Sequence, residues 1–224
     1  QPAGSFWGYQ RLGIYSQQEV SDSLASNPSF PYIAGQEKES NNKKILGHEQ
    51  PDWTGSFVNT FTYKHFSLMV DLQFSQGASV AQAFLFSSED RQGYSNSLAT
   101  VLNAWTPTNQ NNDIQQLRFA PTAGQLSSFD SHWIANGSFI RGRNILLSYD
   151  FAPSVFEKLK LKSLRVYVSG QNVFLIHAKS FQGWDPQGVS FNYGNSGATA
   201  FQQNIDFYEY PKARTFTIGA NLSF

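Results

Sequence analysis

Side chains that could carry out catalysis are few and widely spaced in this sequence. The four histidines form no His-x-x-x-His or His-Glu-x-x-His pair, so the spacing of a zinc site is lacking. The absence of cysteine excludes a thiolate nucleophile, a thiolate metal site and disulfide bonds. The carboxylates of Asp185 and Glu209 stand alone and suit turns or loops better than an acid/base pair. We therefore predict that the chain is not an enzyme and holds no metal or cofactor.

Aromatic side chains among Asn and Gln residues are the better candidates for binding. Flat rings next to amide and hydroxyl groups are what a surface for sugars or peptides uses. The alternative, which we prefer for any single residue, is that these rings pack the loops together or contact a partner protein. The candidate substrate-binding residues are Trp105, Trp184, Phe191, Tyr193 and Tyr208.

Composition limits the classes of protein to which the chain can belong. It has 224 residues, 16 basic against 16 acidic side chains, 14% charged residues and 16% aromatic residues. A net charge of zero argues against a nucleic-acid partner. Its apolar runs are far shorter than the roughly 18 residues that a membrane-spanning helix needs. The remaining classes are all-β: a soluble sandwich or barrel, or an outer-membrane barrel, in which strands alternate and look polar on average.

Alternation of apolar and polar residues predicts five strands. Between residues 66 and 75, Phe66, Leu68, Val70, Leu72 and Phe74 share one face, which is the period of a strand. The segment 57–63 precedes it across a tight connection, so these two segments form a predicted hairpin. Further strands are predicted at 144–151, 164–169 and 215–224.

The connections between these strands are alternately short and long. Long segments at about 1–52, 76–137 and 177–213 are predicted extracellular loops, and the short connections after 63 and 151 are predicted periplasmic turns. Outer-membrane barrels have this rhythm, which favours them over a soluble β-sandwich that would hold glycans with its loops. Five strands cannot close a barrel, because an open sheet in lipid exposes unpaired backbone groups. We therefore expect the chain to supply the C-terminal strands of a larger antiparallel transmembrane barrel.

Six segments, in chain order, resemble motifs of the SusC/RagA family of TonB-linked outer-membrane transporters. They are GSFWGYQRLGIY at 4–15, ILGHEQPDWTG at 45–55, WTPTN at 105–109, IANGSFIRGRNI at 134–145, LRVYVSGQNVF at 164–174 and YPKARTFTIGANLSF at 210–224. The resemblance covers the whole chain.

The resemblance implies a barrel of about 22 strands around a plug that imports a large nutrient such as a glycan or peptide. Its implied partners are the upstream part of the same barrel with its plug, the TonB complex, outer-membrane lipid and a SusD-like surface lipoprotein. The implied location is the outer membrane of a Gram-negative bacterium of the Bacteroidota type. The plug is expected to lie upstream of this chain. The family's Asp-rich stretch is replaced at 36–44 by Glu37 and Glu39 among three lysines, so we carry no metal site over.

The same alternation predicts which side chains face the lumen of such a barrel. The expected lumen-facing residues are Asp71, Gln73, Asn144, Arg165 and Tyr167. Arg141 and Arg143 share parity with the apolar face, where Arg at mid-bilayer costs about 2–4 kcal/mol. We therefore expect them at the outer rim, or turned away by a bulge at Gly142. The expected periplasmic aromatic girdle consists of Tyr63, Phe66, Tyr149, Phe151 and Phe224.

Overall fold

The computed structural model describes residues 4–89, 96–110, 113–118, 129–153, 161–187 and 204–224. The chain divides into two compact units, which we call the loop unit and the wall unit. The loop unit consists of Gln1–Glu49, Ser79–Ala135 and Gly188–Tyr208, and the wall unit of Gln50–Ala78, Asn136–Gln187 and Glu209–Phe224. Within the described residues, no helix has the length and apolar character to cross a membrane.

The loop unit is built from short strands that the alternation pattern did not reveal. Strand β1 (Ser5–Gly8) pairs with β4 (Lys44–His48), and β2 (Arg11–Ile14) pairs with β3 (Glu37–Glu39). Helix α1 (Gln17–Ser26) begins with a capping box, in which the Ser16 hydroxyl accepts from the Glu19 amide and the Glu19 carboxylate accepts from the Ser16 amide.

The rest of the loop unit comes from residues 79–135 and 188–208 of the chain. Strand β7 (Ser79–Gln82) lies between β8 (Ile134–Asn136) and β11 (Ile205–Asp206). Helix α2 (Leu85–Ser88) and two 3-10 turns, Ala99–Asn103 and Ser131–Trp133, complete it. The core of the whole loop unit contains Ile14, Val80, Leu85, Trp105 and Trp133.

The wall unit is one antiparallel sheet of five long strands. They are β5 (Trp53–Tyr63), β6 (Phe66–Gln76), β9 (Phe139–Asp150), β10 (Ser163–His177) and β12 (Thr215–Ser223). Their order in the sheet is β12-β10-β9-β6-β5, so β5 and β12 are its edges. The five predicted strands are therefore present as a sheet that does not close.

Register aligns the apolar side chains into rows across all five strands. One row runs through Phe61, Leu68, Leu147, Val168 and Ile218, each directly opposite the next. Four of these five side chains are exposed, from 47% for Val168 to 82% for Ile218. A soluble sandwich would bury this face under a second sheet. The exposed rows contradict that alternative and leave the apolar face available to lipid.

The hairpin between β5 and β6 turns through Lys64 and His65 alone. Lys64 adopts φ 54°, the left-handed conformation that a two-residue hairpin of this kind needs. Next to this turn, Phe66 packs on Tyr149 at 4.8 Å between ring centroids, and Tyr149 meets Phe151 edge-on at 4.9 Å. These three rings of the predicted girdle thus form one cluster at the short-turn end of the sheet.

Candidate functional site: a polar groove on the wall unit

A register shift places the two strand arginines on the polar face of the sheet. Asp71 lies opposite Asn144, but Leu72 lies opposite Gly142, so Arg143 is an extra residue in β9. Because side chains alternate with period two, this one extra residue reverses the faces of the residues beyond it. Arg141 consequently lies opposite Gln73 on the polar face. The bulge expected near Gly142 is confirmed, with Arg143 as the inserted residue.

Strand β10 has a matching irregularity at Asn172. The pairing of β10 with β9 shifts between Gln171 and Phe174, and Asn172 adopts φ 52°, which Asn tolerates better than most residues. Phe174 then lies over Gly142, where a Cβ atom would come within 2.6 Å of the Phe174 ring. Gly142 is therefore required by this close approach of the ring.

Arg141 is the centre of a buried ion cluster. Its Nη2 donates to both carboxylate oxygens of Asp185 at 2.7 and 2.8 Å, and its Nη1 donates to Oδ1 of Asn172 at 2.9 Å. The side chains of Arg141 and Asp185 are 5% and 4% exposed. The Asp185 carboxylate also accepts from the backbone amide of Gln187 at 2.9 Å. These bonds fix the segment after β10 to the polar face of the sheet.

The same cluster reaches the segment that precedes β12. Nδ2 of Asn172 donates to the backbone carbonyls of Lys212 at 3.0 Å and Ala213 at 3.4 Å. The Lys212 ammonium lies 3.5 Å from the second oxygen of Asp185. Burial acts to raise the pKa of Asp185, but the hydrogen bonds from Arg141 and Gln187 and the two nearby cations outweigh it and lower that pKa. Asp185 is therefore held ionised.

Beside this cluster lies a polar groove of about 540 Å³, which we call the wall groove. Its floor is the row formed by Asp71, Asn144 and Gln171, which lie opposite one another in β6, β9 and β10. Nε of Arg143 donates to Asp71 at 2.8 Å. Other lining residues are Gln73, Arg141, Asn172, Gln187, Lys212 and Ala213. The groove thus combines amides with charges of both signs.

The predicted lumen-facing residues separate into two sets. Asp71, Gln73 and Asn144 line the wall groove. Arg165 instead pairs with Asp150 at 2.5 and 2.8 Å toward the other end of the sheet, and Tyr167 packs over Gly219. All five lie on the polar face by register. Their orientation toward a lumen stays a prediction.

The predicted loop aromatics have different environments. Trp105 is 2% exposed in the loop unit, where its ring lies against Gly35, so it packs that unit. Trp184 is 72% exposed in the wall unit, and Tyr208 is 59% exposed in the loop unit beside Phe207. Phe191 and Tyr193 lie outside the described residues. Binding by these side chains stays a prediction.

Two clusters of charged side chains lie in the loop unit, and both are held together by bonds between their own members. The carboxylate oxygens of Glu37, Glu39 and Asp130 lie within 4.8 Å of one another, which is a spacing that could hold a cation. The guanidinium of Arg11 already bridges Glu37 at 2.8 Å and Asp130 at 2.6 Å. This arginine supplies positive charge between the two carboxylates.

The second cluster is centred on the buried Glu89. One of its oxygens lies 2.5 Å from Nε2 of His132, and the other accepts from the Thr100 hydroxyl at 2.6 Å. Both oxygens of the Glu89 carboxylate are thus bonded to neighbouring side chains. Burial acts to raise the pKa of Glu89, yet the bonds from His132 and Thr100 lower it overall.

The residues that sequence reasoning missed are those whose partners are far away in the chain. Asp185 was interpreted as an isolated turn residue, but it pairs with Arg141, 44 residues earlier. Lys212 and Asn172 were not singled out as site residues. The available signal was the break in alternation after residue 169 and at Arg143, because a break between two otherwise regular strand segments indicates a bulge.

An open antiparallel sheet with an exposed apolar face and a polar groove on the other face defines the wall of a transmembrane-type β-barrel. No family model matches the chain. It is 33% identical, over 99% of its length, to TonB-dependent receptor P3 of Formosa agariphila, and 27% identical, also over 99%, to TonB-dependent receptor SusC of Bacteroides thetaiotaomicron. It spans 22% and 19% of the lengths of these two relatives.

Solved structures of transporters have the same fold over this part of their chains. The structure of the RagAB peptide transporter matches with a TM-score of 0.71 at 21% identity, over 98% of this chain and 23% of that one. The RagAB peptide importer in its 'closed-closed' state matches with a TM-score of 0.68 at 22% identity, over 98% and 23%. These structures show the barrel fold. The relatives identify the chain as part of a TonB-dependent receptor of the SusC/RagA type, which confirms the family resemblance of its motifs.

Proposed function

We propose that this chain forms part of the wall and outer loops of a TonB-dependent outer-membrane importer of glycans, peptides or similar large nutrients. The observation that carries the proposal is the sheet itself. Its apolar rows, such as that from Phe61 to Ile218, are exposed to the surroundings. Among the described residues, each edge strand pairs on one side only, which leaves its other side for further strands of the same barrel. The opposite face carries the wall groove, as expected of a surface that lines a polar lumen.

The loop unit is proposed to lie on the extracellular side of the outer membrane. Exposed Trp184 and Tyr208 are the loop aromatics that could contact cargo or a partner. A SusD-like surface lipoprotein is the proposed partner at the mouth, and TonB the proposed energy source through upstream segments. The support for both is the similarity to SusC and to RagAB, whose structures are described as those of a peptide transporter. The proposed location is the outer membrane of a Gram-negative bacterium of the Bacteroidota type.

The test compares charged substitutions on the two faces of strand β12 in the full-length protein. Ile218 lies in the apolar row, whereas its neighbour Thr217 lies on the other face, and both are exposed. In the Ile218→Lys variant a charge faces acyl chains, at a cost of about 2–4 kcal/mol near the bilayer centre. Thr217→Lys places the same charge on the polar face and is the matched control.

The readouts are the amount of protein in the outer-membrane fraction and its heat-modifiable migration in gels. We expect Ile218→Lys to lower the folded fraction and Thr217→Lys to leave it near wild type. Equal accumulation of both variants, or recovery of the wild-type protein in the soluble fraction, would contradict the barrel. Import is then tested by growth on candidate glycans or peptides with and without TonB. The interaction with the SusD-like lipoprotein is tested by co-purification.

A further inference from the structure

The wall groove and its adjoining ion cluster carry an excess of positive charge. Three cations, Arg141, Arg143 and Lys212, meet two carboxylates, Asp71 and Asp185, which leaves a net charge of +1 (three minus two). Each carboxylate already has a close arginine: Arg143 at 2.8 Å from Asp71 and Arg141 at 2.7 Å from Asp185. Among the described residues, Lys212 shares the carboxylate of Asp185 with Arg141.

Lys212 is placed so that this charge faces the groove. Its nearest carboxylate oxygen is 3.5 Å away, on the Asp185 group whose two oxygens Arg141 holds. The Lys212 side chain is 43% exposed, whereas Asp185 is 4% exposed. The backbone carbonyl of Lys212 is tied to Asn172, so the start of its side chain is fixed. A fixed backbone with a partly exposed ammonium is available to an anion from the lumen side.

The groove also contains buried polar atoms without a hydrogen-bond partner. Nε of Arg141, a donor, and the acceptors Oδ1 of Asp71 and Oδ1 of Asn144 are buried and unpaired in the described part of the chain. Arg141 is 4% exposed and Asp71 is 7% exposed. A buried polar atom that stays unpaired costs about 1–3 kcal/mol. Water, or a ligand that offers both acceptors and donors, would satisfy these atoms.

We propose that the wall groove binds an oxyanion group, a carboxylate or a sulfate, carried by the imported cargo. Lys212 is the charged contact, and the side-chain amides of Gln171 and Gln187 beside it donate hydrogen bonds to the anion. Hydroxyl or N–H donors next to the anionic group pair with the free oxygens of Asp71 and Asn144. The inference deepens the proposed function and rests on it, because the polar face meets cargo only if it lines a lumen.

The test measures whether anions protect the Lys212 amine from acetylation in the full-length transporter, purified with its plug. Acetylation by an N-hydroxysuccinimide ester is followed by mass spectrometry in sulfate and in chloride at equal ionic strength. Lys179, an exposed lysine in the turn after β10 that does not line the groove, is the internal control. At a sulfate concentration of about twice the dissociation constant, we expect acetylation of Lys212 to slow about threefold, with Lys179 unchanged.

The source of the anion is distinguished by further probes. Hexagalacturonate is compared with neutral maltohexaose, a sulfated carrageenan tetrasaccharide with its desulfated form, and a pentapeptide acid with its amide. The proposal expects one acidic probe to protect Lys212 at lower concentration than sulfate does, and its neutral counterpart not to protect. Equal rates in sulfate and chloride, protection by inorganic sulfate alone, or a Lys212 that is unreactive in both salts would overturn it. A transporter of neutral cargo would pass the uptake and fractionation tests and fail this one.

Discussion

Breaking the ion pair between Arg141 and Asp185 should release the segment that follows β10. The Asp185→Asn substitution keeps the shape of the side chain and an oxygen that can accept from the Gln187 amide. It removes the charge that faces the buried Arg141 guanidinium, and it leaves that guanidinium beside Lys212. Removing one partner of a buried, hydrogen-bonded pair costs about 3–5 kcal/mol. At about 1.4 kcal/mol per factor of ten, local opening should increase roughly 100- to 4,000-fold.

The assay is hydrogen exchange, read by mass spectrometry on peptides that cover residues 178–187 of the full-length transporter. The matched control is Asp150→Asn, because Asp150 and Arg165 form the same two-bond pair with side chains that are 45% and 50% exposed. Solvent screens the Asp150–Arg165 pair, so we expect Asp150→Asn to cause no measurable change in the exchange of residues 178–187. Replacing both buried partners, with Arg141→Met and Asp185→Leu, should restore most of the protection. Unchanged exchange in Asp185→Asn would refute the view that this pair holds the segment in place.

Three further outcomes follow from the same geometry. Deleting Arg143 removes the inserted residue and leaves Arg141 opposite Gln73 on the polar face, so this deletion and Arg143→Ala should both give the folded, heat-modifiable barrel. Loss of assembly in the deletion alone would contradict this register. The pKa of Glu89 is lowered from its ordinary value, so its stabilisation is complete above that value and is lost as the pH falls through the lower folded value. Exchange in the loop unit should therefore rise in acid, and Glu89→Gln should weaken that dependence. Trp105→Ala should destabilise the loop unit by about 3–5 kcal/mol in a thermal melt, whereas exposed Trp184→Ala should leave the melt unchanged.

The sequence predicted the strands of the wall unit well where a single period holds. Between 66 and 75 all the apolar residues except Met69 share one face, and the observed strand differs from the prediction by one residue at its end. The prediction stopped at Asn144 in β9 and at Ser169 in β10, whereas these strands extend from Phe139 and to His177. In β9 the register shift at Arg143 inserts one residue and reverses the parity on which the prediction depends. In β10 the shift between Gln171 and Phe174 inserts two residues and interrupts the regular pattern without reversing it.

Alternation patterns could not predict the elements of the loop unit. Its strands are two to five residues long, too short to show a period, and their partners come from distant parts of the chain. Strand β11, for example, pairs with β7 across more than 120 residues, and Arg11 pairs with Asp130. Pairing at such separations depends on the path of the loops, which local sequence does not encode. The same holds for Asp185, whose role depends on where β9 presents Arg141.

The wall groove depends on the two register shifts. If β9 alternated regularly through Arg143, with no bulge there, Arg141 would face lipid and Asp185 would be a buried carboxylate without its arginine. Without the left-handed turn at Asn172, that side chain would not reach both Arg141 and the carbonyl of Lys212. Arg141 and Lys212 share the single carboxylate of Asp185, and this leaves an excess of one positive charge beside the groove. The excess charge that we assign to binding therefore follows from the same irregularity that keeps two arginines out of the bilayer.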